Sequence, residues 1–210
     1  MRLRRQMVLF VAGLAACAGI PGSACGQDDF ASDAARLVTA LKLQPGQTVA
    51  DIGAGRGELT VELAREVGPG GEIYATELDA DRLRDIREAA AAAGLKNVTV
   101  VEAHATRTNL PAACCDALVL RRVYHHIRDP SLMNASMRES LRPGGLLAVI
   151  DFLPDSTEST DPGGRASGDQ HGVTSETVTR ELSEAGFEVV AVEQGGRNDR
   201  YMVVVRRPAS

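Results

Sequence analysis

The chain predicts a doubly wound α/β sheet of seven strands, with helices on both faces and an antiparallel last strand. Three observations carry this expectation. Short apolar runs alternate with helical patterns over residues 48–185. A glycine-rich turn follows the first run at Gly53. Two β-branched runs close the chain with only Gly195-Gly-Arg-Asn-Asp199 between them, which predicts a hairpin.

In order along the chain, Asp33 to Leu43 sets Leu37, Val38 and Leu41 at helical spacing until Gln44-Pro-Gly46 breaks it. This helix should lie against the sheet beside the ligand site. Val49, Ala50 and Ile52 mark a buried strand over 48–52, followed by a helix over 57–67. A strand over 72–77, a helix over 80–93 and a β-branched strand over 98–103 come next. A strand over 116–121 and a helix over 131–141 lead into a Pro-Gly-Gly turn, then a strand over 146–152. Residues 155–172 are rich in Ser, Thr, Asp and Gly and lack a pattern, so they form either a substrate lid or a solvated loop. A helix over 174–185 precedes the closing strands over 187–194 and 199–206.

The most informative stretch is Val49-Ala-Asp-Ile-Gly-Ala-Gly-Arg-Gly57. Glycines at 53, 55 and 57 let the backbone turn sharply and approach a ligand without Cβ atoms in the way. The next helix presents its N-terminus to the same place. A dinucleotide fingerprint would put its third glycine three positions after the second, where Glu58 stands here. Asp51, at the strand end, suits a cationic or amino-bearing ligand better than a pyrophosphate.

With these residues the chain resembles the class I S-adenosylmethionine-dependent methyltransferases, whose sheet is Rossmann-like. The resemblance extends through Gly71-Glu-Ile-Tyr-Ala-Thr-Glu77, Cys115-Asp-Ala-Leu-Val-Leu-Arg121, the His125-His126 and Asp129-Pro130 pairs, and Leu141-Arg-Pro-Gly-Gly145. It implies S-adenosyl-L-methionine as cofactor, held by Asp51, Gly53, Ala54, Gly55, Gly57, Glu77, Leu78, His104, Ala105 and Arg121. Glu77 is the expected ribose ligand, with capping of the next helix as the alternative, a task Asp79 or Asp81 could equally perform. Two departures stand out. The family's acid-alanine pair against adenine is His104-Ala105 here, and Arg121-Arg122 replace small or polar residues. Either arginine suits the methionine carboxylate or an anionic acceptor, or pairs with Asp116 or Glu139 at the surface.

Methyl transfer from a sulfonium depends mainly on positioning. A hydroxyl or amine acceptor also needs a base, and His125 and His126 are the candidates, with Tyr124 less suited. Asp151 either faces the acceptor or starts the following loop, and His171 is a weaker substrate-contact candidate. The expected acceptor is a small molecule, because the chain shows no extra domain for docking a macromolecule. A nicotinamide dehydrogenase is disfavoured by the glycine spacing and the Pro-Gly-Gly turn.

Composition narrows the partners further. With 3% aromatic residues, no tryptophan and a formal net charge of −5, a nucleic-acid footprint is not expected. No CxxC and no clustered ligand set is visible, so no metal site is expected. Cys114 and Cys115 are adjacent; a disulfide between them would be strained, and Cys115 reads as a buried residue entering its strand.

Residues 1–27 differ from the remaining 28–210, which read as a single domain. Arg2, Arg4 and Arg5 precede an apolar run from Met7 to Ile20, too short to span a bilayer and followed by small residues. The expectation is an export signal and a periplasmic or envelope location. Leu14-Ala-Ala-Cys17 resembles a lipobox, which would anchor Cys17 to the membrane through a lipid, whereas Ala24 or Gly26 would suit ordinary cleavage. Because S-adenosylmethionine is made in the cytosol, export raises an alternative: a binding or envelope-associated module that keeps the fold without catalysis.

Overall fold

The computed structural model describes residues 30–195 and 200–209. The proposed signal, with Cys17, and the tip of the closing hairpin lie outside the described residues. The elements are α1 (Phe30–Leu41), β1 (Thr48–Ile52), α2 (Glu58–Val67), β2 (Glu72–Glu77), α3 (Ala80–Ala92), β3 (Val98–Glu102) and β4 (Cys115–Arg121). Then follow α4 (Pro130–Ser140), β5 (Leu141–Phe152), α5 (Ser175–Glu184), β6 (Glu188–Glu193) and β7 (Arg200–Arg206).

The sheet order is β3-β2-β1-β4-β5-β7-β6. β1 to β5 pair in parallel, whereas β7 inserts between β5 and β6 and runs antiparallel to both. The chain therefore leaves β1 toward β2 on one side and reaches β4 on the other. Such a reversal opens a crevice at the carboxyl ends of the two central strands, and the turn after β1 stands in it.

Alternation along the strands separates two cores. Ala50, Ile52, Leu118, Leu120, Leu147, Val149 and Val203 pack with Met133 and Met137 of α4 and with Val178 and Leu182 of α5. Val49, Val119, Ala148, Ile150 and Val204 face the other way, onto Leu37 and Leu41 of α1 and Leu59 and Leu63 of α2. Strands buried on both faces explain why the central runs read as continuously apolar.

Helix ends follow local chemistry. Asp79 caps α3 by accepting the N–H groups of Asp81 (2.9 Å) and Arg82 (3.0 Å), so capping falls to Asp79 and not to Glu77. Asp129 caps α4 through the N–H of Leu132 (3.1 Å), with Pro130 in the first turn. The N-cap of α2 is Gly57, at φ 87°, which has no side chain to cap the helix.

Two local expectations are corrected. β5 starts at Leu141, five residues early, because Gly144 and Gly145 form backbone bonds with Arg207 (2.9 Å each) and extend the ladder through the Pro-Gly-Gly segment. The extra residues bulge outward between the Cys115↔Leu141 and Ala117↔Leu146 pairs. Cys114 and Cys115 are joined in a vicinal disulfide, while Cys115 is fully buried as expected. Among the described residues, no helix is long and apolar enough to cross a membrane.

Asn97 ties the loop before β3 to the end of α2, donating from Nδ2 to the carbonyls of Ala64 (3.0 Å) and Gly68 (2.9 Å). These belong to the carbonyls a helix end leaves without internal partners. Asn97→Ala should lower the unfolding free energy by about 1–2 kcal/mol. Urea denaturation with an unchanged m-value would check it.

Candidate active site

The glycine turn is built by steric exclusion. Gly53 and Gly55 have φ of 71° and 60°. A Cβ on Gly53 would meet Val123 at 2.7 Å, whereas nothing lies within 4 Å of one on Gly55. Gly53 thus lets the segment after β4 close over the turn, and Gly55 leaves open space for a ligand. Gly57 plays a different part: a Cβ there would come to 3.2 Å from the Ile86 backbone, so it permits α2 and α3 to approach.

Val123 divides two cavities. The larger, about 440 Å³, is lined by Gly53, Glu77, Leu78, His104, Ala105 and His126 among others. The smaller, about 200 Å³, is lined by Phe30, Asp51, Gly53, Ala54, Gly55 and Arg121 among others. A long ligand with an apolar ring at one end and charged groups at the other matches this pair of spaces.

Two carboxylates flank the turn. Glu77, ending β2, accepts the N–H of Gly55 (3.0 Å) at one oxygen and that of Leu78 (2.7 Å) at the other. It remains partly exposed at the cavity wall, where its other lone pairs can accept hydroxyl protons. Asp51 is almost fully buried and accepts a 2.6 Å hydrogen bond from the Thr60 hydroxyl. Burial dominates and pushes its pKa up to about 6, against the Thr60 hydrogen bond and the more distant attraction of Arg121.

Arg121 lines the smaller cavity but is fastened to α1. Its Nε donates to Asp33 at 2.6 Å, and its guanidinium lies 4.1 Å from the centre of the Phe30 ring. Arg200 also bonds Asp33 (3.0 Å), and Arg36 stands 3.7 Å from it. The alternative pairing with Asp116 is not observed, since Asp116 engages Arg142 and the Thr48 N–H. α1 therefore does lie beside the site, and Asp33 is the residue that anchors it there.

On the opposite face of the sheet stands a histidine group. His125 is buried in a 3-10 turn (Tyr124–His126), its Nδ1 2.8 Å from Asp151 Oδ1, while Asp151 Oδ2 accepts the His125 backbone N–H at 3.2 Å. With the carboxylate as acceptor, Nδ1 carries a hydrogen and Nε2 is the ring nitrogen not engaged by Asp151. The His126 and His171 ring centres lie 4.0 and 4.8 Å from that of His125. Burial, reinforced by repulsion from His125, lowers the pKa of both His126 and His171.

His171 arrives on the loop after β5, whose residues 155–172 are largely exposed or half-buried but fastened to α5. It contains two 3-10 turns, Pro162–Ala166 and Gly168–Gln170. Arg165 is buried and binds Glu181 of α5 with both terminal nitrogens (2.8 and 3.2 Å), and Glu181 accepts the Tyr124 hydroxyl (3.1 Å). Gly172, at φ 127°, packs where a Cβ would sit 2.8 Å from the Pro154 nitrogen.

With this geometry in view, comparison with known proteins is informative. A family model described as a methyltransferase domain matches residues 43–202. The chain belongs to the methyltransferase domain family. A ubiquinone/menaquinone biosynthesis C-methyltransferase of Marinomonas sp. is 32% identical over 117 residues, covering 55% of this chain and 47% of that protein. The chain thus spans about half the length of the curated relatives it matches. A S-adenosylmethionine-dependent methyltransferase from Aquifex aeolicus superposes with a TM-score of 0.72 at 25% identity, over 83% of this chain and 89% of that one. A phosphoethanolamine N-methyltransferase of Haemonchus contortus, solved with S-adenosylmethionine, shares the fold with a TM-score of 0.68 at 16% identity, over 84% of this chain and 52% of that one. The dehydrogenase alternative is thereby set aside.

In this methyltransferase domain Asp51, Gly53, Ala54, Gly55, Glu77, Leu78, His104, Ala105 and Arg121 all border one of the two cavities. Gly57 borders neither and serves helix packing. His126 reaches the larger cavity, whereas His125 stands behind it with Asp151. Asp33 and Phe30 were not legible as site residues, because no local pattern announces a partner 88 positions away.

Asp51→Asn tests the cost of the buried acid. The folded state holds the Asp51 proton up to about pH 6, the unfolded chain only to 3.8. The native carboxylate therefore destabilises the fold increasingly as pH rises through that window, by about 3 kcal/mol when complete. The variant should gain on wild type from about pH 4 to pH 6 and then keep a constant advantage, read by chemical denaturation across pH.

Proposed function

We propose that this methyltransferase domain binds S-adenosylmethionine across the glycine turn and passes its methyl group to a small-molecule acceptor. The observation that carries the reading is the pair of acids, Asp51 and Glu77, at either side of a turn with no side chain in the way. The residues fit the cofactor. Glu77 accepts from the ribose hydroxyls, and His104, Ala105 and Leu78 border the space for the adenine. Asp51 offers a carboxylate to the cationic end, while Arg121 at the smaller cavity suits the carboxylate end.

When bound, the cofactor supplies a methyl group on a positively charged sulfur. The chain holds the reactants in line and limits water around them, which accounts for most of the acceleration such a reaction needs. His126, on the cavity wall and biased toward its neutral form, takes the acceptor proton on its unprotonated ring nitrogen. Asp151 orients His125 beside it. The cavity's size and its apolar lining by Ile52, Val123, Ile127 and Met133 support a small organic acceptor.

Isothermal titration of the full chain with S-adenosylhomocysteine should give micromolar affinity, lost in Asp51→Ala and Glu77→Ala. Because the cationic ligand end favours the ionised acid, affinity should fall about tenfold from pH 8 to pH 5. Absence of heat and of any thermal shift would leave the alternative, a non-catalytic binding module.

The basic start and apolar run of residues 2–20 support export as part of the same reading. An export-dependent reporter fused after Gly26 should be active, and loss of its membrane association in Cys17→Ala would identify the lipid-anchored form. An inactive reporter would return the domain to the cytosol.

A further inference from the structure

We propose that His125, His126 and His171 form a binding site for a divalent transition-metal ion of the zinc class, with a coordination position left open at the edge of the larger cavity. One ligand nitrogen from each histidine lies within 4.8 Å of the others. Zinc–nitrogen bonds of ~2.0–2.1 Å place tetrahedral ligands roughly 3.3 Å apart, so the widest pair must close by up to about 1.5 Å. His126, exposed, and His171, half-buried, have the freedom to do so.

The surroundings are those of a ligand set. Asp151, itself fully buried, accepts from Nδ1 of His125 and so leaves Nε2 available and aimed by a second partner. A carboxylate behind a metal-binding imidazole is the usual way such a ligand is oriented and made more basic. The donors are three imidazoles, which suit zinc, cobalt, nickel or copper and not the oxygen-seeking magnesium or calcium. Arg122, whose guanidinium stands 5.5 Å from the Phe152 ring centre, opposes a cation there; the Asp151 and Asp155 carboxylates offset it.

Three side chains leave a fourth position, and because His126 also borders the larger cavity, an ion there would meet an acceptor's oxygen or nitrogen. The lone pair of His126 would then be committed to the ion, so base and ligand are alternative uses of this residue. The inference rests on ring geometry and is independent of the transferase reading.

The test uses the tag-free full chain, stripped with a chelator and titrated with Co²⁺. Visible absorption reports the ion's geometry, near-ultraviolet absorption reports any thiolate ligation, and a chromophoric chelator measures Zn²⁺ affinity by competition. The expected result is one equivalent of tetrahedral or five-coordinate Co²⁺ without a sulfur band. Zn²⁺ binding should weaken at least 100-fold in His171→Ala and in His126→Ala, and about 10–100-fold in Asp151→Asn. His171→Gln, in a docked loop, gives a second variant if another fails to fold. No stoichiometric Co²⁺ spectrum, a thiolate band, or affinity unchanged in the His171 variants would overturn the site. S-adenosylhomocysteine binding measured on the same samples separates the two readings: metal binding without it would leave the site and remove the transferase, and the reverse would do the opposite.

Discussion

A carboxylate buried at the end of a central strand is the constraint around which this fold is arranged. Thr60 gives Asp51 a close hydrogen bond, and burial outweighs that bond. The nearest guanidinium that could neutralise it, Arg121, is engaged by Asp33 from α1, which also gathers Arg200 and Arg36. On the proposed reading, α1 occupies Arg121 and a ligand's positive charge is left to meet the buried Asp51.

The other half of the site depends on sheet alternation. Asp51 faces α2, whereas Asp151 projects to the face that carries His125, so the acids ending β1 and β5, on either side of β4, serve opposite sides of the sheet. Arg122 bonds the Ile150 carbonyl and takes φ 57°, an uncommon conformation for a residue with a side chain. That bend delivers Val123 over Gly53 and the histidine pair behind it. The chain after β5 is held by Arg165 and Glu181, and Glu181 also holds Tyr124, so the turn bearing His125 and the loop bearing His171 share one support on α5.

Much of this was legible along the chain. Gly53 and Gly55 both take a positive φ, a backbone requirement that operates within a few residues, so their spacing carried the turn, while the close approach of Val123 to Gly53 was not readable. Glu77 was readable as a site residue, and Asp79 took the capping task that competed for it. Gly57 looked like a ligand contact yet serves α3, because a glycine's use depends on what approaches it. The start of β5 was misread, since its first residues are ordered by Arg207 from the far end of the chain. The loop after β5 resisted reading for the same reason. Arg165 pairs with Glu181 of α5 and with Glu158 of the loop itself, and an arginine in a polar stretch does not announce its partners.

By itself, the sequence determined the strand and helix succession, the nucleoside-type turn and the two acids beside it, because each rests on periodicity, backbone sterics or hydrogen bonding over a short span. Only the tertiary structure decided that Asp33 restrains Arg121, that Val123 divides the cavity, and that His171 joins a histidine pair 45 residues earlier. Those outcomes depend on which buried charges and rings meet across the sheet, and pairing at that distance is set by packing, not by local pattern.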